Sequence, residues 1–203
     1  MENLSPRQQQ KRASILQAAI MEFREHGFQS TSMDQVALSA KASKRTVYNY
    51  FPSKDALFDA ILREMFYLIK TSILITYDPK QSLKQQLTNI AQQEVALLGS
   101  DAFLSLARIT MAEAITQPDR VAAIMAEVNA LDSNFVTWLK AAHSDHRMTI
   151  NDIEFAAEQF ITLLKSFSFW PPLLLNQPTP TKAELNNKIS SVVDMFLNYY
   201  TRV

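Results

Sequence analysis

Apolar residues recur with a helical period in nearly every segment of this 203-residue sequence. In the first segment, Ile15, Ala19 and Phe23 follow one another at intervals of four. No segment shows the alternation of apolar and polar residues that is typical of a strand. The chain also contains only two glycines, which disfavours a hairpin-rich sheet and a glycine-rich phosphate loop. We therefore predict an all-α protein.

Turn and capping residues divide the chain into about nine helices. A glycine at position 27 is predicted to end the first helix in a left-handed conformation, with Phe28 folding back onto it. Ser32 and Ser43 are predicted N-caps of the second and third helices. The predicted ranges are Gln9–His26, a short helix opening at Ser32, Lys44–Phe51, Ser53–Thr76, Gln81–Leu98, Asp101–Gln117, Pro118–Ala142, Asn151–Phe169 and Thr181–Thr201. The predicted architecture is a three-helix head, residues 1–54, and a larger helical body, residues 55–203.

Composition excludes several classes of protein. The chain has no cysteine, so disulfides and cysteine-liganded zinc are excluded. No apolar run approaches the roughly 18 residues of a membrane span, and the first 20 residues lack the apolar core of a signal peptide. We expect a cytoplasmic protein with no membrane partner and no cofactor.

The formal net charge of zero conceals an asymmetry. Up to Lys54 there are eight basic and four acidic residues, so the head carries +4 and the remainder carries −4. A basic head on an acidic body suggests that the head faces a polyanion.

The short third helix, "KRTVYNY", has an unusual outer face. At 100° per residue, Val47 and Phe51 fall on one side, whereas Arg45 and Asn49 point the other way. Two short helices joined by a three-residue turn, the second displaying such groups, are typical of a helix-turn-helix that enters the major groove of DNA. From spacing alone, a capped surface helix whose tyrosines pack on neighbouring residues is an equally good interpretation.

A longer pattern decides between these interpretations. The stretch "TSMDQVALSAKASKRTVYNYFPSKDALFDAIL" resembles the DNA-binding head of the TetR family of transcriptional regulators. The resemblance covers about residues 10 to 62 and rests on Thr31, Ser32, Val36, Ala37, Ser43, Thr46, Val47, Tyr48, Tyr50, Phe51, Pro52, Ser53, Lys54, Asp55, Leu57 and Phe58. One position departs from the family pattern, because Lys41 stands where glycine is usual in the turn.

The resemblance implies a dimeric, ligand-responsive repressor that binds a palindromic operator. It implies DNA contacts by Ser32, Ser43, Lys44, Arg45, Thr46, Tyr48, Asn49, Tyr50 and Lys54. Of these, Thr46, Tyr48, Tyr50 and Lys54 are expected to hold phosphates. Arg45 and Asn49, with Lys44, occupy variable positions of the pattern and are candidates for reading guanine and adenine.

The body resembles the C-terminal domain of the AefR-like subgroup in "LARITMAEAITQPDRVAAIM" and "AAEQFITLLKSF". Its last two long helices carry more apolar surface than one core-facing stripe requires. We predict a dimer interface formed by Phe160, Leu164, Leu185, Ile189, Val192, Val193 and Phe196. The alternative is that both helices are simply internal.

Aromatic and methionine residues of the body are candidates for an inducer pocket. They are Phe103, Met111, Trp138, Phe167 and Trp170, with Arg108 as the nearest charged group. Such residues at helical spacing also form ordinary cores. They favour an apolar or aromatic small molecule as the inducer.

Two other functional classes remain as alternatives. An enzyme or metal site would have to use "HSDH", where His143, Asp145 and His146 cluster, but a solvated loop explains that segment better. We predict neither catalysis nor a bound metal. A non-sensing architectural DNA binder is the other alternative, although such proteins are usually small and strongly basic.

Overall fold

The computed structural model describes residues 5–71, 74–129 and 133–201, except for the side chains of residues 70, 128 and 129. The described residues form eleven α-helices and no strand, so the prediction of an all-α protein is confirmed. In chain order the helices are α1 Pro6–His26, α2 Met33–Ser39, α3 Lys44–Tyr50, α4 Lys54–Thr71, α5 Leu83–Leu98, α6 Asp101–Thr116, α7 Pro118–Asn129, α8 Asn134–Ser144, α9 Ile153–Ser168, α10 Trp170–Leu175 and α11 Lys182–Tyr200.

The predicted helix ends in the first part of the chain agree with the structure. Gly27 follows α1, and its N–H donates to the Phe23 carbonyl. Its φ of 80° is positive, but its ψ of 156° is extended, so the predicted left-handed helical conformation is wrong. The Phe28 ring packs edge-on against Phe23, with centroids 5.1 Å apart. Ser32 is the N-cap of α2, as predicted, and it forms a capping box with Gln35.

Three features differ from the prediction by more than three residues. The single helix expected over Pro118–Ala142 is two helices, and Ser133 caps the second by accepting from the N–H of Val136. The proline-rich connection contains α10, whose prolines stand in its first turn, where no N–H is required. Helix α4 is described over Lys54–Thr71, and residues 74–77 are not helical, so the predicted end near Thr76 is wrong.

The chain divides into two compact units. One comprises the residues up to Phe66 together with Ser105–Val128, and the other comprises Tyr67–Leu104 together with the residues from Asn129. The first unit therefore contains α1 to α3, most of α4 and α6, and α7. The predicted division into a head, residues 1–54, and a body, residues 55–203, is a division by function rather than by compactness. It stays a prediction.

Each unit has its own apolar core. In the first, Ile15, Ala19, Val36, Val47 and Phe58 are fully buried. In the second, α9 packs against α5, α8, α10 and α11. The core of that unit includes Leu87, Phe135, Trp138, Phe160, Val193 and Phe196.

Among the described residues, no single helix combines the length and the hydropathy that a membrane span needs. One bent pair, α5 with α6, meets the requirement by length and composition only.

Candidate DNA-binding surface

The turn between α2 and α3 places the two helices as a helix-turn-helix. The Ala42 N–H donates to the Ala37 carbonyl, and the Lys41 N–H donates to the Leu38 carbonyl, both at 3.0 Å. This pair of bonds is the Schellman motif, in which the residue after the cap is left-handed. Lys41 occupies that position with φ 46°, so a lysine adopts the conformation that glycine adopts most easily.

A second lysine supports this turn. Lys11 of α1 donates its ammonium to the carbonyls of Ala40 and Lys41, at 3.4 and 3.3 Å. A cation at the end of a helix satisfies carbonyl groups that lack intrahelical partners and interacts favourably with the helix dipole. The backbone strain at Lys41 is therefore partly offset by a contact from a different helix.

Helix α3 has one buried face and one polar face. Val47 is fully buried, and Phe51 follows the helix into the same core. On the opposite side Arg45, Tyr48 and Asn49 are exposed, with 48% of Tyr48 accessible to solvent. The predicted division of faces is present, and the outer face consists of groups that can bond base edges and phosphate oxygens.

The start of α3 is fixed by side-chain hydrogen bonds. Ser43 Oγ accepts from the Thr46 N–H at 3.1 Å and lies 2.7 Å from Thr46 Oγ1. Lys44 Nζ donates to Asp34 Oδ2 of α2 at 2.6 Å, and this hydrogen bond raises the pKa of Lys44. The Lys44 ammonium is therefore already paired with α2 in the absence of DNA.

Lys54, the last of the predicted DNA contacts, is the first residue of α4. Its ammonium donates to the Gln29 carbonyl at 2.9 Å and lies 4.7 Å from the centroid of the Phe28 ring. The nine predicted DNA contacts are all exposed or half-buried, and they lie at the starts of α2 and α4 and along α3. Their contact with DNA stays a prediction.

A cleft beside this surface was not predicted. It has a volume of about 580 Å³ and is lined by Ser5, Arg7, Gln8, Gln10, Lys11, Ser14 and Tyr50. The basic residues of the first two turns of α1 could have signalled it, because they precede the apolar stripe of that helix and so need not face the core.

The predicted inducer-pocket residues lie in different surroundings. Trp138 and Phe167 belong to the core of the second unit, and Trp138 donates its indole N–H to Gln86 Oε1 at 3.0 Å. Phe103 packs on Phe169, and Phe169 packs on Trp170, with centroids 5.9 and 4.9 Å apart.

The other two predicted pocket residues, Arg108 and Met111, belong to the first unit, where Arg108 is exposed and Met111 half-buried. Three cavities of 470 to 580 Å³ are lined by residues other than these six. The structure therefore brings Phe103 and Trp170 together through Phe169, and Trp138 and Phe167 into one core. The assignment of all six to an inducer pocket stays a prediction.

The residues predicted for a dimer interface pack inside one chain. Phe160, Leu164, Ile189, Val192, Val193 and Phe196 belong to the core of the second unit, and Leu185 packs against it. The rings of Phe160 and Phe196 lie 4.9 Å apart. The apolar stripes seen in the sequence thus pack in the core of this chain. The assignment of these seven residues to a dimer interface stays a prediction.

An apolar groove of about 500 Å³ lies between α9 and α11. It is lined by Phe155, Glu158, Gln159, Thr162, Leu163, Met195, Phe196, Tyr199 and Tyr200. Phe155, Met195 and Tyr199 are exposed by 53%, 52% and 71%. A second apolar stripe on each helix could have predicted this groove. Phe155 and Leu163 of α9 are eight residues apart, and Met195 and Tyr199 of α11 are four residues apart, so each pair lies on one helix face.

The "HSDH" segment is held by hydrogen bonds within the second unit. His143 Nδ1 accepts from the Ile150 N–H at 3.3 Å, and Asp145 accepts from the Tyr77 hydroxyl at 2.5 Å. His146 has a positive φ of 55°. In the parts of the chain that the structure describes, no three His, Asp or Glu side chains are grouped so that they could hold a metal ion.

Comparison with known proteins identifies the family. A family model described as the C-terminal domain of AefR-like transcriptional repressors matches residues 85–202. A second model, described as bacterial regulatory proteins of the tetR family, matches residues 15–61. The second match covers α2 and α3, where the helix-turn-helix lies.

Relatives and solved structures agree with these matches. The HTH-type transcriptional regulator RutR of Escherichia coli K12 is 44% identical over 55 residues, 27% of this chain and 26% of that protein. The HTH-type transcriptional repressor SCO4008 of Streptomyces coelicolor is 32% identical over 68 residues, 34% of each chain. The matches thus span only about a quarter to a third of these curated relatives.

A solved structure matches almost the whole chain. A TetR family transcriptional regulator from Pseudomonas syringae pv. tomato DC3000 is 41% identical, with a TM-score of 0.82 over 94% of this chain and 96% of that one. A TetR-family regulator from Mesorhizobium loti, at 23% identity and a TM-score of 0.75 over 98% and 100% of the two chains, shares the fold. With a helix-turn-helix inside one family match and most of the chain inside the other, this protein belongs to the TetR family of transcriptional regulators.

Proposed function

We propose that the protein binds a palindromic operator as a homodimer, represses transcription there, and is released by a small-molecule inducer. The observation that carries the proposal is the polar face of α3, where Arg45, Tyr48 and Asn49 are exposed above the buried Val47. A helix of this width fits the major groove, where each base pair presents a distinct pattern of donors and acceptors. α3 is thus the recognition helix of the proposal.

The chemistry of each side chain assigns its role. Arg45 can donate two hydrogen bonds to guanine, and Asn49 can bond adenine on its N6 and N7 edge. Tyr48, Tyr50, Thr46 and Lys54 supply hydroxyl and ammonium groups for phosphates. Lys44 can contact a base if its ion pair with Asp34 breaks. Breaking this pair costs little free energy, because both side chains are exposed.

The groove between α9 and α11 supports the homodimer. Its exposed apolar residues form a patch that a second copy can cover, and a two-fold interface uses the same patch on both chains. A two-fold protein requires a two-fold operator, whose half-sites lie about 34 to 36 Å apart for successive major grooves. The palindromic operator follows from the symmetric dimer.

Release by an inducer follows from the same geometry. A ligand that binds better to a dimer with another spacing of its α3 helices weakens DNA binding by the ratio of its two affinities. The aromatic residues of the second unit, among them Phe103 and Trp170, favour an apolar or aromatic inducer. Helix α4 joins the predicted head to the predicted body. A ligand in the body would therefore change the spacing of the two α3 helices of the dimer through α4.

Selection of bound genomic fragments tests the proposal. Genomic DNA of the source organism is incubated with the full chain at about 0.15 M salt, where non-specific phosphate binding is weak. The variant Y48A/K54A is run in parallel. The control Y67A/K80A also loses an exposed tyrosine and a lysine, but outside the predicted head.

We expect the wild type and the control to retain a few fragments that share a palindrome, and Y48A/K54A to lose them. Retention of the same fragments by all three proteins would show that another surface reads the DNA. Enrichment of single, non-palindromic half-sites would contradict the dimer.

A further inference from the structure

Arg120 of α7 makes an unusually complete set of contacts with the first turns of α4. Its Nε donates to Asp59 Oδ1 at 2.7 Å, and its two terminal nitrogens donate to Asp55 Oδ1 and to the Asp55 carbonyl, both at 2.6 Å. The guanidinium thus satisfies two carboxylates and a main-chain carbonyl at once. Planar, multidentate contacts of this kind fix an orientation, which a lysine cannot do.

The same guanidinium lies against two aromatic rings. Its Cζ is 4.8 Å from the centroid of Phe58 and 5.9 Å from that of Phe28. The Arg120 side chain is only 18% exposed. A charge that is largely withdrawn from water interacts more strongly with carboxylates and ring faces than an exposed one.

A buried carboxylate holds the adjoining loop, residues 27–31, from the other side. Glu113 of α6 accepts from Gln29 Nε2 at 3.3 and 3.4 Å and from Gln117 Nε2 at 3.2 Å. The carbonyl of the same Gln29 accepts from Lys54. The loop that precedes α2 and the lysine that opens α4 are therefore tied to α6 and α7.

All these residues belong to one compact unit. We propose that Arg120 is a positioning residue for DNA binding, which fixes the first turn of α4 and the loop 27–31 against α7 without itself contacting DNA. Loop 27–31 and α4 flank α2 and α3, and Lys54 lies where they meet. A change at Arg120 therefore alters the placement of α3, more than 60 residues away in sequence, while Lys54 keeps its bond to Gln29. The inference rests on the proposed role of α3 as the recognition helix.

Salt dependence separates a positioning residue from a phosphate contact. Affinity for a fragment recovered from the genomic selection is measured for the full-length wild type, R120Q and K54Q between 50 and 300 mM salt. We expect R120Q to bind about tenfold more weakly with an unchanged slope of log K against log salt. K54Q should lower the magnitude of the slope by about 1.8, as expected for two lost phosphate contacts, one from each protomer of the dimer.

Two variants serve as matched controls. Arg63 of α4 pairs with Glu127 of α7 at 2.9 Å, joining the same two helices, but both side chains are about half exposed. R63Q removes the same charge and should leave operator affinity unchanged. R120K keeps the positive charge but loses the planar guanidinium that donates to several acceptors at once. We therefore expect the operator affinity of R120K to lie between those of R120Q and the wild type.

Amide hydrogen exchange gives a readout that does not depend on DNA. In R120Q we expect faster exchange in α2, α3 and loop 27–31, whereas α5, α9 and α11 exchange as in the wild type. If R120Q does not fold, the same measurements of operator affinity and amide exchange are made on R120K and compared with the wild type.

Wild-type affinity and wild-type exchange in R120Q would overturn the inference, as would a fall in the salt slope equal to that of K54Q. If the wild type recovers no fragment at all, the proposed function fails, and the exchange pattern alone decides whether Arg120 positions the head.

Discussion

Trp138 donates its indole N–H to Oε1 of Gln86 at 3.0 Å, inside the core of the second unit. Gln86 is itself buried, and the same oxygen accepts from the Asp78 N–H at 2.9 Å. Its amide nitrogen donates to the carbonyls of Asp78 and Gln81. One buried glutamine thus ties a core indole to the turn that precedes α5, with each of its polar atoms satisfied.

Removal of this glutamine should destabilise the protein. Q86A leaves the indole N–H and the Asp78 main chain without partners, and we expect a loss of about 3 kcal/mol of unfolding free energy. Q85A removes the same side chain from the exposed neighbouring position and should change stability by less than about 0.5 kcal/mol. Urea denaturation of both variants is the measurement, and equal losses would contradict the role of the network.

Glu94 predicts a pH dependence of stability. This residue of α5 is 4% exposed, and burial raises its pKa to about 7, although the positive charge of Lys165 opposes the shift. The unfolded carboxyl titrates near 4.5, so between about pH 4.5 and 7 the native state holds a proton that the unfolded state has lost. This group therefore lowers stability as pH rises through that window, by up to about 3 kcal/mol.

The variant E94Q isolates that contribution. It should be more stable than the wild type above pH 7 and lose the decline between pH 4.5 and 7 that Glu94 causes. E64Q, at an exposed position of α4, should retain the wild-type dependence. Thermal denaturation across this pH range is the measurement, and parallel curves for the wild type and E94Q would refute the prediction.

The left-handed conformation of Lys41 predicts opposite effects of two substitutions. K41G should stabilise the protein by up to about 1 kcal/mol, because glycine adopts φ 46° without strain. K41V should destabilise it by at least about 1 kcal/mol, because β-branched residues tolerate positive φ poorly. Guanidinium denaturation checks both, with A42G as the control for the greater freedom of glycine in the unfolded chain. A loss of stability in K41G larger than in A42G would contradict the expected strain.

The groove between α9 and α11 predicts the effect of charge on assembly. A glutamate at position 195 or 199 would be desolvated if a second chain covered the groove, so M195E and Y199E should be monomeric at micromolar concentration. A183E introduces the same charge at an exposed position in the first turn of α11 and should behave as the wild type. Sedimentation velocity distinguishes the species, and dimers of M195E and Y199E would place the interface elsewhere.

The local features of this fold could be predicted, because local residues determine them. The caps at Ser32 and Ser43, the stop at Gly27 and the two faces of α3 all depend on residues within four positions of one another. The boundary at Ser133 was missed because the apolar period continues on both sides of it. Helix α10 was missed because two prolines indicate a break unless they stand in a first turn.

Relationships between distant segments could not be predicted. Arg120 meets Asp55 and Asp59 across more than 60 residues of sequence, and nothing in "QPDRVAA" indicates that contact. Similarly, a period of 3.6 shows that α9 and α11 are amphipathic but not which apolar stripe faces the chain's own core. Packing of the whole second unit turns Phe160 and Phe196 inward and leaves Phe155 and Met195 outside.

The proposed reading of base edges by the outer face of α3 is tested most directly by one set of affinity measurements. The affinities of the wild type, R45A and K54A are compared on the selected operator and on a set with each base pair of the half-site substituted in turn. If Arg45 contacts a guanine, R45A should lose about 1 to 3 kcal/mol of discrimination at one position and keep it elsewhere, whereas K54A should weaken binding to every sequence about equally. Uniform weakening by R45A, or unchanged discrimination at every position, would contradict the proposed reading.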